Sequence, residues 1–205
     1  MLKKIIIVRH GETPYNTDHR IQGWTDIPLN DNGHEQAKKV ALRLSNEIIT
    51  AIYASDHERA HVTAKYIAES HGQKVKKRKH LREVKMGIFE GWRWKIDENK
   101  ELEKLWQERE AAHSRVDLDW KVEGAESLKQ HTDRVKKILN QIEKNHADET
   151  IVLVSHGATL NRILEIYDLK SITDKYISFQ NTSVTILSKS GLGYQLEIVN
   201  DISHL

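Results

Sequence analysis

A chain of 205 residues with 32 basic and 30 acidic side chains, net +2, is long enough for one domain with a sizeable core, and its mixed charges form no nucleic-acid stripe. The absence of cysteine excludes disulfides, zinc–thiolate sites and thiol catalysis. No apolar run approaches a membrane span, and the run after the basic start Met1-Leu2-Lys3-Lys4 ends at Val8, too short for a signal-peptide core; a soluble, cytoplasmic protein is expected.

The first predicted element, residues 4–8, carries Ile5-Ile6-Ile7-Val8, a β-branched run of the kind found in parallel strands buried on both faces. It leads straight into Arg9-His10-Gly11-Glu12-Thr13. A loop holding the only two prolines, Pro14 and Pro28, extends to about residue 31. The spacing of Ala37, Val40, Ala41, Leu44 and Ile48 then predicts a helix near 33–48 with one apolar face. Strand 51–54 is followed by a helix near 56–71, for which Ser55 and Glu58 fit a capping box. The basic cluster Lys74 to Lys79 reads as an exposed strand or loop. Residues 84–125 hold Trp92, Trp94, Trp106 and Trp120, four of the five tryptophans. Packing inside a small helical insertion and a lid over a site mouth both fit this segment. Its charges, Lys95, Lys100, Lys104, Arg109 and Arg115, are mixed with acids and name no substrate. Helix 127–145 presents Leu128, Val135, Ile138, Leu139 and Ile142 on one side. Strand 150–155, helix 158–167 and strands near 183–188 and 193–199 finish the chain. The turn Ser188 to Gly193 marks the last pair as an antiparallel edge hairpin. Strands alternating with helices predict an α/β three-layer sandwich on a mostly parallel sheet, one domain over 1–205.

Ligands of open α/β sheets bind beyond strand carboxyl ends, and three of these strands end in polar clusters. They are Arg9-His10, Ser55-Asp56 leading to Arg59, and Ser155-His156 after Ile151-Val152-Leu153-Val154. Two histidines and an arginine at two strand ends make a cationic, donor-rich pocket suited to a dianionic phosphate, and Arg59 in the first turn of its helix adds its charge to the helix dipole. If Leu81-Arg82-Glu83 folds toward the same mouth, Glu83 supplies a proton-transfer carboxylate. The parts then fit one reaction: neutral His10 attacks phosphorus, Arg9, Arg59 and His156 hold its oxygens, and Glu83 protonates the leaving oxygen. Such a pocket needs no metal and no other cofactor. His57 and His61 have the i, i+4 spacing of metal ligands but lack a third, and read as two exposed helix histidines. Ser55 fits a helix cap better than a nucleophile. Glu90 fits a turn, and Glu12 a buried partner that orders the first loop.

The ordered series resembles the histidine phosphatase superfamily, or phosphoglycerate-mutase-like fold. It comprises Val8 to Thr13, Asn16, Gln22-Gly23-Trp24, Asp26, Pro28 to Asn30, Gly33, Gln36-Ala37, Ser55-Asp56, Arg59-Ala60 and Thr63-Ala64. Leu81, Glu83, Gly87, Glu90-Gly91, Glu126-Ser127 and Ser155-His156-Gly157 continue it. The resemblance implies His10 as nucleophile, Glu83 as proton donor, and Arg9, Arg59 and His156 as the phosphate pocket. It adds Asn16, Gln22, Gly23 and the Gly157 backbone as further substrate contacts. Two positions depart from the pattern: Ala125 stands where the family often has glycine, and His57 where an apolar residue is usual. Cofactor-dependent mutases of the family tend to be longer and carry Arg-His-Tyr-Gly around the acid. Arg82-Glu83-Val84-Lys85-Met86-Gly87 and the stretch Asn181 to Thr185 look instead like the bacterial broad-specificity phosphatase branch. The expectation is a phosphomonoester phosphatase acting on a small phosphorylated metabolite, such as phosphoglycerate, a sugar phosphate, phosphoserine or phosphorylated ribazole. A phosphoglycerate mutase using the same phosphohistidine is the alternative. A non-catalytic phosphate-binding domain would have lost a histidine or the acid, and none is lost.

Overall fold

In the computed structural model, which describes residues 1–115, 117–169 and 176–205, a six-stranded sheet takes the order β3-β2-β4-β1-β5-β6. The strands are β1 (Lys4–Arg9), β2 (Ala51–Ala54), β3 (Val75–Lys77), β4 (Thr150–Ser155), β5 (Val184–Ser190) and β6 (Gly193–Asp201). The first four pair in parallel; β5 is antiparallel to β1, and β6 to β5. This is the α/β architecture expected, closed by the predicted edge hairpin. The helices are α1 (Pro14–Thr17), α2 (Asp31–Leu44), α3 (Glu58–Ser70), α4 (Lys100–Ser114), α5 (Leu128–Asn145) and α6 (Gly157–Ile166).

The period-two alternation of a strand divides the core. Ile5 and Ile7 of β1, with Ile151 and Leu153 of β4, pack under α5 and α6 through Val135, Ile138, Leu139, Leu160 and Ile163. Ile6 and Val8, with Val152 and Val154, pack under α2 and α3 through Val40, Leu44, Ala60, Ala64 and Ile67. All eight strand residues are fully buried, each contributing roughly 1.5–3 kcal/mol of transfer free energy. Segment 84–125 holds α4, a short 3-10 turn at Gly87–Phe89, and its own small core of Met86, Phe89 and Trp92.

This layering positions the site. The chain leaves β1 toward α2 on one face and leaves β4 toward α6 on the other, so the connections diverge and open a crevice between neighbouring strands. Register places Arg9 beside Ser155 and Ala54 beside Val154, so three strand ends finish level with one another.

Local readings needed correction in three places. Helix α2 stops at Leu44, leaving Ile48 86% exposed, because the chain turns at Ser45 to reach β2. The first loop contains a short helix, α1, with a capping box between Thr13 and Asn16 and proline at its first turn. Ser55 and Glu58 form no capping box: His57 is the N-cap of α3, and the Ser55 hydroxyl accepts instead from the His57 amide at 3.3 Å. No described helix is long and apolar enough to cross a membrane.

Candidate active site

Both histidines stand where β1 and β4 end, their ring centroids 5.1 Å apart. The His10 backbone N–H continues the ladder to the Ser155 carbonyl at 3.0 Å, which ties the residue to the sheet. Its Nδ1 lies 2.7 Å from the Gly11 carbonyl, which can only accept, so Nδ1 carries the proton and Nε2 the lone pair. Burial, reinforced by Arg59 and Arg9, holds the His10 imidazole well below its ordinary protonation range. It is therefore a neutral base with a defined tautomer, as an attack on phosphorus requires.

His156 has the complementary arrangement. Its Nδ1 accepts from Arg59 Nε at 3.3 Å, so its proton sits on Nε2. That nitrogen is buried without a partner among the described residues. A buried donor left unpaired costs ~1–3 kcal/mol unless something fills the place, and a phosphoryl oxygen would fill it. Burial and the Arg59 charge also keep His156 neutral.

Arg59 lies within the first turn of α3, as read from sequence, and is fully buried. Its other nitrogens donate to the Thr25 carbonyl at 2.9 Å and the Gly23 carbonyl at 3.0 Å. These bonds fix the planar fork relative to His156. Burial lowers its pKa to about 10, still a cation at neutral pH. Arg9 donates to the Phe179 carbonyl at 2.6 Å and keeps a buried Nε without a partner among the described residues.

Glu83 folds toward the same mouth. Its backbone carbonyl accepts from Trp24 Nε1 and Arg134 Nη2, both at 2.7 Å. One carboxylate oxygen accepts from the Ala158 amide at 3.1 Å. The other accepts from the Thr159 amide at 3.1 Å, the Thr159 hydroxyl at 3.2 Å and the Val84 amide at 2.9 Å. The acid thus caps α6 immediately after His156, with free backbone N–H groups satisfied by a carboxylate.

Arg9, His10, Asn16, Gln22, Gly23, Arg59, Glu83 and His156 all line one cavity of about 950 Å³. Gln22 Oε1 is buried there without a partner among the described residues. Gly157 does not line it; the next residue, Ala158, does. Trp94, Trp106 and Trp120 line the cavity, Trp92 packs in the small core of the insertion, and Trp106 also packs against that core. Glu90 accepts from Trp24 and Met86 amides and the Thr25 hydroxyl, which makes it the organiser of that turn. Glu12 accepts from Asn30 and Asn32 side chains and orders the first loop, though it is only half-buried. His57 corrects the sequence reading: it is buried, edge-on to His156 at 5.5 Å and to Trp24 at 6.4 Å. Among the described residues no cluster of three or more histidines or acids could hold a metal.

Three further residues shape the site. Asn181 donates to the His10 carbonyl at 3.0 Å and to Asn16 Oδ1 at 3.2 Å. The Thr63 hydroxyl accepts from the Gly11 amide at 3.0 Å and donates to the Arg59 carbonyl at 2.7 Å, linking β1 to α3. Arg134 pairs with Glu126 and donates to the carbonyls of His80, Arg82 and Glu83. Its only sequence signal is a polar place on an amphipathic helix.

Residues 5–202 match the model of the histidine phosphatase superfamily (branch 1). Phosphoglycerate mutase-like protein 4 of Arabidopsis thaliana is 36% identical over 207 residues, covering 98% of this chain and 86% of its own. The probable phosphoglycerate mutase GpmB of Escherichia coli is 33% identical, with 98% and 94% covered. A phosphoserine phosphatase mutant from Entamoeba histolytica, solved in complex with phosphoserine, superposes with a TM-score of 0.81 at 27% identity, with both chains covered completely. From strand-end histidines to the order of its motifs, the chain belongs to the histidine phosphatase superfamily.

Proposed function

We propose that this protein is a phosphomonoester phosphatase of small phosphorylated metabolites that works through a phosphohistidine on His10. The observation that carries the reading is the opposite tautomers of the two histidines: His10 offers a lone pair on Nε2, His156 offers a proton on Nε2. One is a nucleophile and the other a donor to the group attacked.

In the first step His10 Nε2 forms a bond to phosphorus while the ester P–O bond breaks. The proton on Glu83 passes to the leaving oxygen, and the alcohol departs. Arg9, Arg59 and His156 donate to the three non-bridging oxygens, whose charge persists throughout the transfer. In the second step water attacks phosphorus, Glu83 takes its proton, the P–N bond breaks and inorganic phosphate is released. Cationic side chains supply the charge neutralisation that a metal would otherwise provide, so the reaction is proposed to be metal-independent. The segment 84–125 serves as the wall, and in this proposal the lid, that surrounds the leaving group.

The mutase reading is favoured by the names of the two curated relatives and shares the first step. It differs in what receives the phosphoryl group. Purified protein given phosphoglycerate, phosphoserine and sugar phosphates should release inorganic phosphate in proportion to alcohol formed. Isomerised phosphoglycerate with the ester phosphate conserved would establish the mutase instead.

A further inference from the structure

Helix α5 buries a histidine in its apolar stripe. His131 is 2% exposed and stands in line with Val135, Ile138, Leu139 and Ile142, a place where another aliphatic side chain would be expected. Its Nε2 lies 3.0 Å from the Thr159 hydroxyl on α6. Burial, with the charges of Arg134, Arg162 and Arg109 nearby, holds His131 well below its ordinary protonation range, so the ring is neutral and carries one proton.

The Thr159 hydroxyl decides where that proton sits. Its oxygen lies 2.8 Å from the Arg82 carbonyl and 3.2 Å from one Glu83 carboxylate oxygen. It has a single hydrogen, and both neighbours are acceptors, so that hydrogen is committed to the Arg82–Glu83 side. Nε2 of His131 therefore donates, and a chain of donors runs from His131 through Thr159 to Glu83. The remaining partners of the carboxylate are the amides of Val84, Ala158 and Thr159, which donate whatever charge it carries. Among these partners the hydroxyl alone can follow the proton. It turns to the Arg82 carbonyl when Glu83 is protonated and to the carboxylate once the proton has gone. A helical threonine otherwise divides between two rotamers, because its hydroxyl can return to a carbonyl three or four residues back. The His131 N–H selects the rotamer that faces the acid.

We propose that His131 is a positioning residue for proton transfer: by donating to the Thr159 hydroxyl it holds that hydroxyl against Glu83 and keeps the carboxyl in place for the leaving oxygen. This rests on the phosphatase reading above, with Glu83 as the acid.

The test is single-turnover phosphoenzyme formation from glycerol 3-phosphate and from nitrophenyl phosphate. His131→Leu suits the apolar stripe and removes the donor. It should slow the alkyl ester ~3–10-fold, the worth of one neutral hydrogen bond, and the nitrophenyl ester by less than about twofold. His131→Gln, whose amide nitrogen can stand in for Nε2, should restore most of the loss. Thr159→Val should show the same split between substrates, and adding His131→Leu to it should cost less than about twofold more. Equal losses for both esters in His131→Leu, a glutamine no better than leucine, or additive losses in the double variant would overturn the positioning role. Glu83→Gln in the same assay separates the two failures. A split between esters there but not in His131→Leu defeats the positioning role alone, whereas no split in either defeats the acid on which it rests.

Discussion

Replacing Glu83 with glutamine separates proton donation from everything else this residue does. The carboxylate accepts four hydrogen bonds, three at one oxygen and one, from the Ala158 amide, at the other. An amide can keep its carbonyl at the crowded position, which puts its NH2 against the Ala158 N–H. One charge-assisted bond is lost, at a cost of ~1.5–3 kcal/mol. For a chain of this size that corresponds to a fall in Tm of roughly 3–12 °C. The chemical effect is larger and depends on the leaving group. General acid catalysis is worth ~10²–10⁴-fold when an alkoxide must be expelled, and far less for nitrophenolate, which leaves unprotonated. Phosphoenzyme formation, followed by quenched flow in a single turnover, should therefore drop ~10²–10⁴-fold with an alkyl phosphate and under about tenfold with nitrophenyl phosphate. Any distortion of the α6 terminus affects both substrates and cancels in the ratio. Equal losses for the two would refute Glu83 as the acid.

Arg59→Lys removes a guanidinium held by three hydrogen bonds, so kcat/KM should fall ~10²–10³-fold for aryl and alkyl phosphates alike; a loss confined to one class would contradict a role in holding the transferred group. Burial, with Arg59 and Arg82 beside it, lowers the pKa of His57 to about 4 from 6.5. The unfolded chain thus binds its proton first, and native stability is lost as pH falls from 6.5 toward 4, with no such penalty above 6.5. In a series of melting curves His57→Leu should lessen the slope of that acid limb, to which buried His10, His131 and His156 also contribute, and an unchanged limb would count against the burial argument. Activity should survive excess EDTA and be inhibited by vanadate, which mimics pentacoordinate phosphorus; loss on chelation with rescue by a divalent ion would remove the metal-independent mechanism.

What the sequence made legible was whatever lies contiguous along it. The runs Ile5–Val8 and Ile151–Val154 flow directly into Arg9-His10 and Ser155-His156, so strand, strand end and side chain could be read together. Glu83 was harder, because its approach to the site depends on Trp24, Arg134 and the α6 amides, each distant in sequence. Ser55 misled because its local pattern fits a cap, while its hydroxyl accepts only from the His57 amide two residues on and α3 begins one residue later, at Glu58. His57 looked exposed by position, but Trp24 and His156 enclose it. Arg109 disappeared among mixed charges, since only the packing of α4 brings it to the cavity wall.

The central claim is that His10 carries the phosphoryl group. Mixing enzyme with labelled substrate, quenching in alkali within milliseconds and mapping the peptides tests it directly. The account predicts label on His10, stable in alkali and lost in acid, and no label in His10→Ala. An acid-stable adduct, or labelling that persists when His10 is replaced, would contradict it.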